Sequence, residues 1–528
     1  MTRSDIGPAA RRRRAVAGIG MLILVTLALG VFLRSTPDAF PFADGAVIEI
    51  YTLQALRGSV KLGPYSQFGW HHPGPVYFDL LAPFYELAGH RAIGLTAGAI
   101  AINLVALATM FRVSARSAGR LSAAIVVAGL SLYLWRVDEL LPSIWNPHIV
   151  VLALAALVVL CAALATGHGA ALPMAIAAGS FLAQTHISLV PCSVLLIVAA
   201  GAASWHRSGV DRRGLKFWVT VSVVLAVALW LPPIVEQARG DPGNVTRIWR
   251  FFAGERHAAG QSPATAFHVW ADITTAVVRR DFQLGWGAAY LVRTSSAISV
   301  LAVGQLLSLV VAGWLARRAG HQFLALLCTF CGVTSVVAGY SITQIRDVDI
   351  GDYQVFWMSI IGALSCSGVA AVALALATDR HERVRGLLTV CLSSVAVISL
   401  AVLSGRGLLR AKAYAVEQRD TEVTRKIVSL EVERYIDRER IRRPLFRISQ
   451  GVWTDAACVV LQVYKRHRRL AVEEPWVSVF GEMLSPTGRE DAEFQIADRA
   501  VHATLSDRPG DVVVAAHDQL FVHLLRRR

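Results

Sequence analysis

Two acids, Asp44 and Glu49, stand five residues apart just beyond the first long apolar run. A carboxylate in that place can act as a general base that takes the proton from a hydroxyl. The spacing puts the pair on related but not identical faces of a helix. The same acids also suit a solvated loop, or the first turn of a helix, where the dipole favours negative charge. The segment then runs through Tyr65, Phe68 and Trp70 into His71-His72-Pro73-Gly74-Pro75. The prolines and glycines fix a turn, and the aromatic rings suit a membrane interface. His71 and His72 can hydrogen-bond a phosphate or sugar oxygen. Adjacent histidines in a loop are poor metal ligands without partners, and simple surface polarity accounts for them equally well.

Further polar groups interrupt apolar sequence. Trp145-Asn146-Pro147-His148 and Gln184-Thr185-His186 fall at or just inside the ends of spanning runs. Buried in a membrane they are costly, which suggests a lined cavity with Asn146 and His186 in its wall. Interhelical hydrogen bonds explain them as well. Cations follow: Arg247, Arg250 and Arg256, then Arg346 among Asp347, Asp349 and Asp352. The planar fork of arginine matches phosphate, although a charged rim facing lipid headgroups needs no ligand. Neither a phosphate-binding loop, a dinucleotide fingerprint, H-E-x-x-H nor G-x-S-x-G is present. Nucleotide-driven transport and zinc proteolysis therefore have no support.

Composition sets the scaffold. Of 528 residues, 55% are hydrophobic and 17% charged, against about 25% charged in a soluble protein. A polytopic α-helical membrane protein follows. Spanning runs fall near 15–33, 92–112, 119–135, 148–166, 170–185, 187–205, 215–235, 295–316, 321–341, 354–377 and 384–403. That makes about eleven transmembrane helices, the first of them an uncleaved anchor behind the arginines at 11–14. The net charge of +15 does not point to nucleic acid, because much of the excess sits in alternate short loops. Arg112, Arg116 and Arg120, then Arg207, Arg212, Arg213 and Lys216, then Arg317 and Arg318, then Arg380, Arg383 and Arg385 mark the cytoplasmic side. The N-terminus is then cytoplasmic and the C-terminus extracytoplasmic in an inner (plasma) membrane. The membrane part covers 1–403, with outer loops at 35–91, 136–147, 236–294 and 341–353. Residues 404–528 form a small extracytoplasmic α/β domain. Its expected parts are a charged helix at 408–443, strands at 445–449, 477–480 and 512–515, and a helix at 453–464. Seven cysteines, six of them in apolar runs, read as helix packing and not as a disulfide framework.

An acid after the first span, a loop closing on His72-Pro73-Gly74-Pro75 and an apolar segment ending Phe84-Tyr85-Glu86-Leu87-Ala88-Gly89 together resemble the GT-C glycosyltransferases. The nearest subgroup contains the protein O-mannosyltransferases and the lipid A aminoarabinose transferases. Pro-Gly-Pro replaces their usual Pro-Pro. The resemblance implies an inverting transfer of a sugar from a polyprenyl-phosphate donor to an envelope glycan, lipid or protein on the outer face. Asp44 would be the general base. Arg346, Arg247, His71 and His72 would face the leaving phosphate. Asp138 or Glu139 matches the place of a second acid, and Glu49 would touch substrate. Neither loop holds D-x-D or E-x-D, so the resemblance points to chemistry with no metal and no cofactor. A flippase or transporter for a lipid-linked envelope component would use the same cavity without a base. A non-catalytic envelope scaffold is the third possibility.

Overall fold

Apolar sequence in lipid must satisfy its own backbone, and a helix does so within one segment. In the computed structural model, which describes residues 24–207, 212–254, 260–347, 349–467, 469–507 and 511–527, each expected run falls on a helix. The arginines at 11–14, the first part of the 15–33 run and Arg256 lie outside the described residues. Helix α1 (Leu24–Ser35) is the described part of the first run. Two short helices follow, α2 (Ala43–Ala55) and α3 (Val76–Leu87). The bundle continues with α4 (Ile93–Ala118), α5 (Arg120–Arg136), α6 (Asn146–Ala165), α7 (Ala171–Thr185), α8 (Val190–His206) and α9 (Arg212–Arg239). After α10 (Asn244–Gly254) and α11 (Pro263–Thr275) come α12 (Ser296–Arg318), α13 (Gln322–Ile342), the short α14 (Asp352–Val355), α15 (Ser359–Thr378) and α16 (Glu382–Asp420). Among the described residues, eight helices are long and apolar enough to cross a membrane; α7 is apolar but shorter.

Burial orders the bundle. The apolar window of α6 is wholly buried, whereas those of α9 and α16 are 11% buried. A helix apolar all round belongs either in the core or against lipid, so α6 is the central post and α9 and α16 form the rim. The 236–294 segment is more than a loop. Helix α11 enters the bundle, buries Val269, Trp270 and Ile273, and donates the Trp270 indole N–H to Ser335 on α13 at 3.0 Å.

The C-terminal domain contains α17 (Thr424–Arg438), α18 (Trp453–His467), α19 (Glu474–Phe480) and α20 (Arg499–Ser506). These pack with the strands β1 (Pro444–Ile448), β2 (Ala471–Val472), β3 (Ala492–Ala497), β4 (Val512–His517) and β5 (Leu520–Arg527). The sheet order is β2-β1-β3-β5-β4. β1 runs parallel to β2 and β3, and β5 runs antiparallel to β3 and β4. Three expectations need correction. The charged stretch 408–443 is not one helix: α16 ends at Asp420 and α17 runs over Thr424–Arg438. Residues 477–480 are helical, because Pro475 opens α19 and the buried pair is Trp476 and Phe480, four apart. The expected boundary at 403/404 falls inside α16, which carries the chain from the bundle into the domain without a break.

The loop between α2 and α3 is pressed onto the end of α7. A Cβ at Gly63 would run into the backbone oxygens of Gln184 and Gly74, and one at Gly74 would overlap the Gln184 side chain. Gly63→Ala should therefore lower stability by about 1–3 kcal/mol through overpacking, read as a drop in the thermal midpoint of the detergent-solubilised protein. Gly405→Ala, in open space on α16, should leave the midpoint unchanged or raised.

Candidate functional site

Helix α2 places Asp44 in its first turn. Ala43 before it sits in the left-handed region, at φ 47°, where residues with a Cβ are uncommon. The surroundings hold this joint in place. The Tyr65 hydroxyl donates to Asp44 Oδ1 at 2.6 Å, and the Trp145 indole N–H donates to Oδ2 at 2.7 Å. Burial and the neighbouring Asp44 push the Tyr65 pKa up, so the phenol stays a donor. An ionised carboxylate offers about four acceptor positions. Two are used here, and each oxygen keeps lone-pair capacity.

Both donors are themselves held. Tyr65 lies in a small hairpin, where the Ser66 N–H reaches Trp70 O and the His72 N–H reaches Pro64 O, both at 2.9 Å. Asn244, at the start of α10, clips this hairpin. Its Oδ1 accepts from the His71 N–H and its amide donates to His71 O, both at 2.8 Å. Trp145 sits at the start of α6, its ring stacked on Trp286 at 6.1 Å. The Trp286 loop is pinned by Asp352, whose carboxylate accepts the backbone N–H groups of Trp286 at 2.9 Å and Gly287 at 2.7 Å.

Beside this carboxylate lies a cavity of about 790 Å³, large enough for a drug-sized or sugar-phosphate group. Its wall brings together five of the residues singled out in the sequence: Asp44, His72, Asn146, His186 and Arg346. His72 Nδ1 accepts the Ile187 N–H at 3.0 Å. That fixes the neutral tautomer with its proton on Nε2. Burial, with His186 and His71 nearby, drives the His72 pKa well down, so it offers a hydrogen bond and not a charge. Its ring stacks on His186 at 5.2 Å. Among the described lining residues Arg346 is the one arginine or lysine. It donates to the carbonyls of Phe251 at 2.9 Å and Phe252 at 2.7 Å, at the end of α10. It thereby offsets the negative end of that helix.

Four expected residues stand away from this wall. Glu49, with no side-chain exposure, is bonded to Lys465 at 2.7 Å and to the Tyr85 hydroxyl at 2.7 Å. It cannot reach a substrate in the cavity, because the helix turns it toward the C-terminal domain. His71 is buried behind His72, its Nδ1 3.3 Å from Gly63 O. Asp138 is taken by Arg410 at 3.0 Å and Arg406 at 3.2 Å, both on α16. Arg247 is exposed and donates to Pro242 O at 3.1 Å. Sequence spacing missed Trp286, Tyr353 and Trp453, which also line the cavity. The first two lie in the segments 236–294 and 341–353, which read as loops in the sequence. Trp453 carried no local signal.

Fold and site together define a multi-pass membrane protein of the GT-C fold, with an aromatic cavity where its bundle meets a small C-terminal sheet domain. Two crystal structures share this fold over almost the whole chain. One is ArnT from Cupriavidus metallidurans bound to undecaprenyl phosphate, 13% identical, covering 97% of this chain and 98% of that one, with a TM-score of 0.52. The other is the apo state of the same protein, 14% identical over the same shares, with a TM-score of 0.53. At such identity the likeness shows a common fold, the one that the first loop led us to expect. No family model and no curated protein matches the sequence.

Burial lowers the His71 pKa from 6.5 to about 4. The unfolded chain then takes up a proton more readily than the folded one. Stability from this group is complete above pH ~6.5 and is lost as pH falls toward 4. The loss amounts to at most about 3 kcal/mol. His71→Asn should flatten this part of the acid limb in thermal unfolding measured against pH.

Proposed function

We propose that this protein is a membrane glycosyltransferase that moves a sugar from a polyprenyl phosphate to an acceptor hydroxyl in the cell envelope. The observation that carries this is Asp44. It is a carboxylate oriented by two donors, with lone pairs to spare, in the wall of a cavity sized for a sugar phosphate. The shared fold adds support, since ArnT has been crystallised with undecaprenyl phosphate bound.

In this mechanism Asp44 takes the proton of the acceptor hydroxyl. The oxygen attacks the anomeric carbon from the face opposite the phosphate. The new C–O bond forms as the bond to the phosphate oxygen breaks, with inversion. The phosphate carries its charge away and needs little acid help. Arg346 supplies the positive field, and the Nε2–H of His72 a hydrogen bond. The isoprenoid leaves the cavity past Tyr340, a lining residue that is exposed. Asn146 and His186 border the sugar. The acceptor is an envelope glycan, lipid or protein.

The outer face of the plasma membrane suits this chemistry, because the cationic short loops mark the opposite side. A C-terminal reporter that is active only outside the cytoplasm should therefore be active, and activity of a cytoplasm-specific one would reverse the topology. For the chemistry, the protein in nanodiscs would be given undecaprenyl-phosphate glucose, mannose or arabinose with an envelope extract as acceptor. Release of undecaprenyl phosphate is the readout. Asp44→Asn should slow it by about 10²- to 10⁴-fold while binding of undecaprenyl phosphate stays within a few-fold of wild type. Unchanged turnover would remove Asp44 as the base, and a wild-type protein that releases no undecaprenyl phosphate would be better explained as a flippase.

A further inference from the structure

The segment that carries Asp44 is fastened to the far end of the chain. Lys465, near the end of α18, reaches back to Glu49 at 2.7 Å and to Asp38. Its ammonium is largely buried and Glu49 fully so. Gln418 of α16 accepts the Phe40 N–H at 2.7 Å, and Arg425 of α17 donates to Phe40 O at 2.6 Å. Gln54, at the end of α2, donates to Phe480 O at 3.1 Å. At its other end α18 presents Trp453 to the cavity. That ring meets Tyr65 edge-on at 6.4 Å, and Tyr65 holds Asp44. The two ends of α18 thus bracket α2. One touches the donor of Asp44, and the other forms an ion pair five residues further along the same helix.

Plain packing does not require such a pair. Well-packed apolar side chains usually replace a buried ion pair without loss of stability, whereas an ion pair fixes one geometry. The two carboxylates around Lys465 hold it charged, against the pull of burial. Burial pushes the Glu49 carboxyl up, opposed by Lys465. The lysine is held charged, since two acids and direct hydrogen bonds favour it.

We propose that the C-terminal domain is the positioning element of the site, and that Lys465, through Glu49 and Asp38, sets the register of α2 and hence the place of Asp44. This rests on Asp44 acting as the base. Lys465 touches no substrate; it acts through α2.

The test is a double-mutant cycle in the nanodisc assay above. Lys465→Met alone strands two acids and risks misfolding. The variant pair is therefore Glu49→Gln with Lys465→Met, which removes both buried charges together. Its thermal midpoint and its affinity for undecaprenyl phosphate should stay close to wild type. Its turnover should fall at least ten-fold at unchanged KM for the donor, and Lys465→Arg alone should keep most of the activity. In the Asp44→Asn background the same pair should cost nothing further, because the residue it positions is already disabled. Wild-type turnover in the folded pair, or an equal further loss in the Asp44→Asn background, would overturn the proposal. Failure of the base itself would look different: Asp44→Asn alone would then turn over normally.

Discussion

A carboxylate at the mouth of an apolar bundle must be solvated by something, and here the phenol of Tyr65 and the indole of Trp145 do it. The two donors come from separate segments, one from the loop after α2 and one from the turn before α6. Each is fixed by a further set of bonds, Tyr65 through the hairpin that Asn244 clips and Trp145 through the Trp286 loop that Asp352 pins. Two layers of bonds thus keep these two side chains in place. Two polar donors orient the carboxylate without neutralising it, as an arginine would, and that suits the proton acceptor proposed above.

The electrostatics of the cavity follow from the same economy of charge. His72 and His186 stack in its wall, and His72 is held neutral by burial and by the backbone N–H that its Nδ1 accepts. Arg346 brings positive charge, and it is tied to the C-terminal end of α10 by two hydrogen bonds. A cation fixed in this way keeps its place while a ligand changes charge, which lowers the cost of reorganisation. Most of the remaining wall is aromatic or apolar, which strengthens each of these few polar contacts.

The C-terminal domain is part of this arrangement and not an appendage. Helix α16 runs unbroken from the bundle into it. Lys465 and Arg425 then bind back to the stretch between α1 and α2. Trp453 closes one side of the cavity. The chain therefore meets itself across more than 400 residues at the point where Asp44 stands, as the bond from Lys465 to Glu49 shows.

Sequence alone determined the class of structure. Long apolar runs can be little else than helices in lipid, and loop arginines, glycines and prolines mark where they end. It also singled out Asp44, His72, Asn146, His186 and Arg346, because polar residues amid apolar sequence are expensive and so conspicuous. Tertiary structure decided which of the conspicuous residues share one cavity. Glu49 looked like a partner of Asp44, but its helix turns it toward a lysine 416 residues away. Asp138 looked like a second acid, yet two arginines of α16 occupy it. Trp453 was legible only as the first residue of a helix, with no sign of the cavity that it lines. Spacing along a chain carries local geometry only, and ion pairs across a fold are settled by which helices come to lie side by side.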